Sequence, residues 1–574
     1  MPDKIENISW TAKQRQNYIE ELKSEQFDLL IIGGGITGAG IFRDVCMRNA
    51  YSNKNLKIAL VEKCDFAFGT SNRSTKLVHG GLRYLAYGEF DIVKESETER
   101  NWLRDNFQNL VRPQSFVYPA FKGHESSSTI RLGLSIYDKL ADHNNFKDYE
   151  WLSPEKLENE EPNLDISTTR GKGAGLYWDT NVNDARLTLE SIKEGIHFGG
   201  IAINYAETKS LVKNDQNKIT GAKVSDTLND DEFIIKAKKI VNATGVWIDN
   251  FLEKYPENII RPTKGVHIIV PEKNIGCNHA VIVRSIDDGR HFFCIPRGKF
   301  VLIGTTDTDY NKSFDEVYCL QEDSDYITRS VKHYYPKAKL DNKEIISAYA
   351  GLRPLIGEYK IPDEDDDENE DDQEKEKSAS EVSRKHEIIE SENGLITISG
   401  GKLTIYRLMA EELVENLITS GDIDLPFEKD FTKKKFSISY DREKWESDRK
   451  NLDLDLDIDI LDHLHQEYGK GIETIKTIIQ KQPELKERLI ENRPFILAEI
   501  IYILEHEFAP RLIDVLYRRT EVWMLVHPKF QPMIAKKVAD IMKEYYGWSD
   551  DKKKKEINNF LDVIYKNSFF YTPK

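Results

Sequence analysis

An apolar run leads directly into a glycine-rich turn in the segment Phe27-Asp28-Leu29-Leu30-Ile31-Ile32-Gly33-Gly34-Gly35-Ile36-Thr37-Gly38-Ala39-Gly40. The apolar part predicts a buried parallel strand, because such strands are covered on both faces and show no polar alternation. A helix-like stretch follows the glycines, and Leu56-Lys57-Ile58-Ala59-Leu60-Val61-Glu62 predicts a second strand. Strand, helix and strand in this order predict a βαβ unit.

The glycines have the spacing Gly33-x-Gly35-x-x-Gly38, in the context that a dinucleotide-binding turn requires. The first glycine permits the tight turn, the second lets the backbone approach a pyrophosphate, and the third lets the helix pack close to the strand. The helix would begin at Ile36 and Thr37, where free N–H groups and a partial positive charge face the phosphates. Glu62 ends the second strand, where a carboxylate accepts hydrogen bonds from a ribose. A glycine-rich turn without a ligand is the alternative.

Two further glycine segments favour FAD over NAD as the dinucleotide. The segment 241–245 is an apolar strand that ends in Ala243-Thr244-Gly245, a turn small enough to lie against a flavin cofactor. The segment 399–404 follows another strand and opens a helix, so the amides near Gly401, Leu403 and Thr404 would face a flavin carbonyl. We therefore predict an FAD site built from three glycine turns.

The charge of the chain limits its partners. The 574 residues include 81 Lys and Arg against 98 Asp and Glu, a net charge of −17. Nine of those acidic residues lie in the single run 363–372, which predicts a disordered surface insert. A protein of this charge without a basic stripe is not expected to bind nucleic acid through its phosphates.

Cysteine usage and hydropathy indicate the compartment. The five cysteines are scattered, without a CxxC pair, which favours a reducing environment and predicts neither disulfides nor a cysteine metal site. The segment 1–26 lacks the apolar core of a secretory signal, and no apolar run is long enough to span a bilayer. We expect a cytoplasmic protein, with peripheral contact at the inner face of the cell membrane left open.

The remaining pattern predicts an α/β core, a second sheet inserted into it, and a helical C-terminus. Short apolar runs predict strands at 239–243, 266–270, 292–295, 300–303 and 395–398, and the charged stretch 89–106 predicts a helix. Beyond 427 the glycine content falls, and helical periodicity dominates in segments such as 494–506 and 529–546.

Several motifs in this order resemble the FAD-dependent glycerol-3-phosphate dehydrogenase family, which includes the α-glycerophosphate oxidases. They are residues 69–85 (GTSNRSTKLVHGGLRYL), 184–187 (DARL), 262–267 (PTKGVH), 304–309 (GTTDTD), 351–355 (GLRPL), 382–384 (VSR) and 399–407 (SGGKLTIYR). The resemblance is strong over 27–420 and weaker beyond, where 517–520 (YRRT) also looks like a family motif.

The resemblance implies an FAD-binding, Rossmann-like domain of the glycine-oxidase and D-amino-acid-oxidase type. A β-sheet substrate domain would be inserted into it, and a helical cap would follow. Composition, periodicity and the resemblance together predict these boundaries: a leading segment, 1–26; an oxidoreductase region, 27–430; an acidic insert, 363–380; and a helical domain, 431–574. The FAD part would take approximately 27–105, 165–262 and 340–430, and the substrate part 106–164 and 263–339.

The resemblance also implies the reaction and the residues of the site. The reaction is oxidation of sn-glycerol 3-phosphate to dihydroxyacetone phosphate, with electrons passing to FAD and then to quinone or oxygen. A substrate phosphate requires positively charged side chains, and the planar guanidinium group of Arg is suited to bind phosphate oxygens. By the resemblance, Arg83, Tyr84 and Lys402 would surround the phosphate, and Arg353 and Arg384 would lie near the glyceryl end. His267 would be the base, since a histidine can accept the hydroxyl proton near neutral pH.

The loop 70–77 is expected to contact the cofactor through Thr70, Ser71, Thr75, Lys76 and Leu77. Four other hypotheses for the function stay open. They are an α-glycerophosphate oxidase that forms hydrogen peroxide, a flavin oxidase for an amino or hydroxy acid, a non-redox flavin protein, and a nicotinamide dehydrogenase. No metal is expected, because the ligand spacing around Asp307 and Asp309 is incomplete. The electron acceptor and a homodimer are not determined by the sequence.

Overall fold

A computed structural model describes residues 9–142, 144–253, 259–357 and 386–573. The acidic insert predicted at 363–380 and the candidate residue Arg384 lie outside the described residues, so both stay predictions. Within the described ranges no helix is long and apolar enough to cross a membrane.

The strands of the described residues fall into two sheets. In chain order they are β1 Gln26–Ile32, β2 Ile58–Val61, β3 Leu77–Val78, β4 Arg112–Phe121, β5 Glu150–Leu152, β6 Thr169–Asn181, β7 Ile201–Ile203, β8 Ala206–Lys213, β9 Ile219–Asp226, β10 Asp231–Asn242, β11 Ile260–Pro271, β12 Ala280–Arg284, β13 His291–Arg297, β14 Phe300–Gly304, β15 Thr308–Asp309, β16 Ser347–Ile356, β17 His386–Glu390 and β18 Leu395–Gly400.

The α-helices alternate with the early strands and dominate the C-terminus. They are α1 Arg15–Ser24, α2 Ile36–Tyr51, α3 Phe90–Asn106, α4 Ser127–Leu140, α5 Pro154–Glu160, α6 Asp184–His197, α7 Gln321–Tyr334, α8 Tyr406–Thr419, α9 Arg442–Asp448, α10 Ile458–Tyr468, α11 Ile472–Lys481, α12 Leu497–His506, α13 Val522–Leu525, α14 Gln531–Tyr546 and α15 Asp550–Lys566. A π-helical turn, Asp514–Arg519, precedes α13. The strands and helices predicted from the sequence are all present.

The first sheet has a parallel core in the order β18-β10-β1-β2-β7. Strand β1 lies at its centre, and Leu29, Leu30 and Ile31 are fully buried, which explains the unbroken apolar run. Strand β17 and the pair β8 and β9 extend the sheet in antiparallel fashion. The glycine turn therefore follows the carboxyl end of a central strand, where open α/β sheets bind ligands.

The second sheet runs in the order β15-β11-β14-β13-β12-β4-β6-β3, with β16 paired to β11 and β5 to β6. Strands β6 and β16 lie in segments that the sequence analysis gave to the FAD part, so this sheet reaches beyond the predicted substrate part. The C-terminal helices pack against it in one continuous core that joins Phe116 and Tyr349 of the sheet to Leu464, Ile500 and Leu516.

Helix α2 packs very closely on the end of β1, and this contact yields a testable prediction. A Cβ atom at Gly38 would overlap the carbonyl oxygen of Gly33. Gly38→Ala is therefore expected to lower the melting temperature by several degrees, since overpacking costs roughly 1–3 kcal/mol, and to reduce bound dinucleotide on purification.

The matched control is Gly133→Ala in helix α4, where a new Cβ would meet no atom within 4 Å. This change should leave the melting temperature equal or slightly higher, because Ala favours a helix over Gly. Thermal unfolding of both variants measures the difference. Equal melting temperatures for the wild type and Gly38→Ala would contradict the predicted overlap.

Candidate active site

A cavity of about 420 Å³ lies at the carboxyl ends of β1, β2 and β10, between the two sheets. Nearly all residues predicted to hold the cofactor line it: Gly33, Gly35, Ile36, Thr37, Glu62, Thr70, Ser71, Thr75, Leu77, Ala243, Gly245, Gly401, Leu403 and Thr404. Segments that are distant in the chain thus meet in one cleft, as the three glycine turns predicted.

Gly38 and Lys76 are the two predicted cofactor residues that do not line this cavity. Gly38 instead permits the close packing of α2 on β1. Lys76 is buried, and its Nζ lies 2.5 Å from Oδ1 of Asp184, at the start of α6. The other oxygen of this carboxylate accepts hydrogen bonds from the amide and hydroxyl of Ser74. Lys76 therefore contributes to the shape of the 70–77 loop, and a direct cofactor contact stays a prediction.

The glycine turn and the 70–77 loop form the end of the cleft suited to a pyrophosphate. Gly33 has φ +112°, a conformation that glycine adopts at little cost. A Cβ at this position would also lie 2.5 Å from the carbonyl oxygen of Ala243. Helix α2 begins at Ile36, whose amide donates to the Ser71 hydroxyl at 2.9 Å. The first N–H groups of a helix have no intrahelical acceptor, so this end is able to receive phosphate oxygens.

Glu62 lies beside the same turn with its carboxylate at the cavity wall. Oε2 accepts from the amide of Gly34 at 2.7 Å, and Oε1 accepts from the amide of Cys64 at 2.9 Å. Burial raises the pKa of Glu62, and the two backbone N–H groups oppose that rise. Each carboxylate oxygen can accept a second hydrogen bond, so the group has capacity for ribose hydroxyls, and that contact stays a prediction.

The pairing of β11 with β16 brings His267 and Arg353 to one face of the second sheet. His267 pairs with Tyr349, and Thr263 pairs with Arg353. Side chains four residues apart on a strand share a face, so both functional groups point the same way. A Cβ at Gly265, between them, would lie 2.7 Å from Nη2 of Arg353. The glycine thus leaves room for the guanidinium group beside His267.

His267 is a buried, neutral imidazole in contact with the cofactor loop. Its Nε2 lies 3.0 Å from the Thr75 hydroxyl, and its ring stacks on Tyr349 with centroids 4.7 Å apart. Burial, together with the positive charges of Arg353 and Lys76, lowers the pKa of His267 well below its usual value. The ring is therefore unprotonated near neutral pH and can accept a proton.

Arg353 is oriented by Asp307, a residue whose role the sequence analysis did not find. Nη1 of Arg353 donates to Asp307 at 2.8 Å, and Nη2 donates to the Thr305 hydroxyl and the Thr306 carbonyl, each at 3.0 Å. Asp307 also pairs with Arg290 at 2.5 Å. Burial raises the pKa of Asp307, but these arginines and Thr263 lower it to about 2. The carboxylate is thus ionised and holds both guanidinium groups.

A second chamber of about 350 Å³ adjoins the first, and both are lined by Thr75, His79, Tyr84, Thr305 and Arg353. Arg83 lines this second chamber, and Lys402 lines the first. Nζ of Lys402 lies 3.9 Å from the centroid of the Tyr84 ring and 3.1 Å from the Ser96 hydroxyl. Tyr84 therefore lies at the junction of the two chambers, with Lys402 on the side of the first chamber and Arg83 on the side of the second.

A buried polar network centred on Asp179 holds the segment 79–84 through the amide of Gly80. The Gly80 amide donates to Asp179 at 3.3 Å, and Asp179 also accepts from Arg100 at 3.0 Å and from Tyr137 at 2.7 Å. Arg100 in turn pairs with Glu97. Burial of Glu97 raises its pKa to about 8, although Arg100 opposes the rise. The sequence offered no signal for this network, because Gly80, Tyr137 and Asp179 are far from one another in the chain and Arg100 meets Asp179 only in the folded protein.

Comparison with known proteins agrees with the geometry. The model of the FAD dependent oxidoreductase family matches residues 28–407, and the model described as the C-terminal domain of alpha-glycerophosphate oxidase matches 399–553. Aerobic glycerol-3-phosphate dehydrogenases from Staphylococcus epidermidis and Bacillus subtilis are each 33% identical to the chain. The alignments cover 95% and 97% of this chain and 96% and 98% of the two relatives.

A solved structure is similar over the whole chain. The FAD complex of the glycerol-3-phosphate dehydrogenase from Bacillus halodurans aligns with a TM-score of 0.78 and 29% identity, over 98% of this chain and 100% of that one. The L-alpha-glycerophosphate oxidase from Mycoplasma pneumoniae shares the fold, with a TM-score of 0.52 and 19% identity. The predicted fold, cofactor and family are confirmed: the chain belongs to the FAD-dependent glycerol-3-phosphate dehydrogenase family, within the FAD dependent oxidoreductases, and its cofactor is FAD.

Proposed function

We propose that this protein oxidises sn-glycerol 3-phosphate to dihydroxyacetone phosphate and passes the electrons through FAD to a quinone. The observation that carries the proposal is that the buried, neutral His267 and Arg353 share one face of the second sheet at the wall of the flavin cleft. The bound flavin would accept the hydride from the substrate carbon. The residues of this chain would bind the substrate and remove its hydroxyl proton.

The basic groups at the junction of the chambers suit the phosphate of such a substrate. Arg83 and Lys402 supply positive charge there, and the Tyr84 hydroxyl can donate a hydrogen bond. A phosphate dianion is held most strongly where several charge-assisted hydrogen bonds converge. We assign these three residues to the phosphate.

The glyceryl end would then lie against Arg353 and His267. Arg353 would donate hydrogen bonds to the substrate oxygens, and Asp307 keeps its guanidinium group in place. Neutral His267 would take the proton of the oxidised hydroxyl at its buried ring, and the nearby positive charge favours the alkoxide character that develops. Arg384, outside the described residues, stays a candidate for the same end.

The apolar part of the second chamber, away from Arg83 and Arg353, suits an apolar electron acceptor. Its wall includes Leu82, Leu85, Ile130 and Ile136. At its rim Phe90 and Leu132 remain 46% and 63% exposed, which places an apolar edge against the surroundings. Such an edge favours contact with a lipid surface, so we propose a membrane-borne quinone as the acceptor and a peripheral location for the protein.

The first test is anaerobic mixing of the FAD-loaded protein with sn-glycerol 3-phosphate, followed by admission of air. We expect the flavin absorbance to bleach with substrate and to return slowly in air, because a quinone is the acceptor. Fast return with hydrogen peroxide would make the protein an oxidase. Bleaching by an amino or hydroxy acid instead of glycerol 3-phosphate would overturn the proposed substrate.

Replacement of His267 tests its role as the base. His267→Asn is expected to slow flavin reduction by glycerol 3-phosphate about 10²- to 10⁴-fold, the usual contribution of a positioned general base, while FAD stays bound. Stopped-flow reduction measures the rate. The control is His333→Asn, at an exposed position, which should reduce the flavin at the wild-type rate. A fast His267→Asn variant would remove this histidine from the mechanism.

Replacement of Leu132 tests the route of the acceptor. Leu132→Arg is expected to lower kcat/KM for a quinone in lipid vesicles about tenfold or more, because an apolar contact of about 1.5–3 kcal/mol is lost. Anaerobic flavin reduction by glycerol 3-phosphate and turnover with ferricyanide should not change. Ile234→Arg, at an apolar side chain 48% exposed on the other sheet, is the control. Equal quinone kinetics in the two variants would contradict this route.

A further inference from the structure

The YRRT motif at 517–520 has no place in the site described above, although it matches the family pattern. Its first three residues end the π-helical turn Asp514–Arg519 of the C-terminal region, and Thr520 follows that turn. Arg518 and Arg519 are buried, and their guanidinium groups reach across to the loop that follows strand β2. The motif therefore contacts the segment 62–67, which begins with the cofactor residue Glu62.

Asp65 receives both arginines. Nη1 and Nη2 of Arg519 lie 2.6 Å and 2.9 Å from its two carboxylate oxygens, and Nε of Arg518 donates to Oδ2. The Asn204 side chain adds a donor at 2.8 Å. Asp65 is completely buried. Burial raises its pKa, but Arg519 and Arg518 lower it below the usual value, so the carboxylate is ionised.

The segment 62–67, which Asp65 holds in place, also contacts the dinucleotide turn. The Ala67 amide donates to the carbonyl of Gly34 at 3.0 Å. The Phe66 ring covers Gly34 so closely that a Cβ there would lie 2.7 Å from the ring. At the other end of the segment, the Glu62 carboxylate accepts from the Gly34 amide. Gly34 thus contacts the segment on both sides of Asp65, so a shift of Asp65 would move the turn that receives the cofactor.

Two further sets of contacts join the C-terminal region to the segment 62–67 and its surroundings. Trp10 lies between Phe66 and Phe508, with ring centroids 5.4 Å and 5.3 Å away. Asp514, which pairs with Arg518 at 3.1 Å, also accepts from the Tyr205 hydroxyl at 2.5 Å. Tyr205 lies between β7 and β8, and its amide donates to the Cys64 carbonyl at 2.8 Å. The C-terminal region is therefore joined to the segment 62–67 by charge, by aromatic packing and through Tyr205.

We infer that the C-terminal region positions the FAD site through the paired guanidinium groups of Arg518 and Arg519 on Asp65. These three are positioning residues: they act on the cofactor through Glu62 and Gly34 and do not line the cavity. Removal of Asp65 leaves the buried Arg519 without the carboxylate that it pairs with, and removal of Arg519 leaves Asp65 with Arg518 as its remaining arginine. Either change is expected to destabilise the local arrangement. The inference concerns FAD alone and does not depend on the substrate.

A double-mutant cycle on the full-length protein tests the contact. Apo-protein of Asp65→Asn, Arg519→Gln and the double variant is titrated with FAD. Each single change is expected to raise the FAD dissociation constant at least tenfold. The double variant should be about as weak as the weaker single variant, because all three lose the same interaction. Arg519→Lys should recover part of the affinity, since it keeps the charge but loses the fork.

Glu499→Gln is the matched control for general destabilisation. Glu499 is also fully buried in the C-terminal region, where it accepts from His463 at 2.7 Å and Tyr468 at 3.0 Å. Its replacement should lower the melting temperature of the apo-protein without weakening FAD binding. Unchanged FAD affinity in folded Asp65→Asn and Arg519→Gln would overturn the inference, as would an equal loss in Glu499→Gln.

Hydrogen exchange on the wild type gives a measurement that needs no variant. If the π-helical turn and FAD stabilise each other, the coupling is reciprocal. At 100 times its dissociation constant, FAD should slow exchange of the 514–520 amides by up to roughly 100-fold wherever opening releases FAD. Amides of α14, in the same region, serve as the internal reference and should change less. Equal effects of FAD on both segments would contradict the inference.

Discussion

The close packing of helix α2 on the end of strand β1 is the constraint on which both halves of the site depend. The backbone of Gly38 lies against the carbonyl of Gly33, so this contact fixes the turn between them at the start of α2. The 70–77 loop then connects this turn to the second sheet, because Ser71 accepts from Ile36 and the Thr70 hydroxyl donates to the Leu352 carbonyl at 2.5 Å. The cofactor turn and the strand that carries Arg353 are thereby held in one arrangement.

Electrostatics within the cleft differ from those of the whole chain. The net charge is −17, yet Arg83, Arg353 and Lys402 line the two adjoining chambers. Asp307 offsets part of this charge and at the same time fixes Arg353. An anionic substrate therefore meets local positive potential in a partly desolvated cleft, where charge-assisted hydrogen bonds are stronger than in bulk water.

The parts of the site that the sequence predicted well are those set by local order. The glycine spacing and Glu62 lie within one βαβ unit, so periodicity and turn chemistry were enough to find them. The predicted roles of His267 and Arg353 depended on the family resemblance, since a single histidine or arginine on a strand carries no sequence pattern that indicates its function. Asp307 and Asp179 were missed because their partners, Arg353 and Gly80, lie 46 and 99 residues away and meet them only in the folded sheets. The predicted contact of Lys76 with the cofactor stays a prediction, and its contact with Asp184 follows from the loop conformation.

The anchor at Asp65 also bears on the order of biosynthesis. Asp65 lies 454 residues before Arg519 in the chain. The glycine turn therefore leaves the ribosome long before Arg518 and Arg519 are synthesised. Domains generally fold as units from the N-terminus during synthesis, but here the segment beside the flavin cleft acquires its counter-ions only when the last part of the chain is made. Until then Asp65 lies near the cofactor turn without its two arginines. A chain truncated before the YRRT motif would contain the whole glycine motif but would lack the arginines that position the segment beside it.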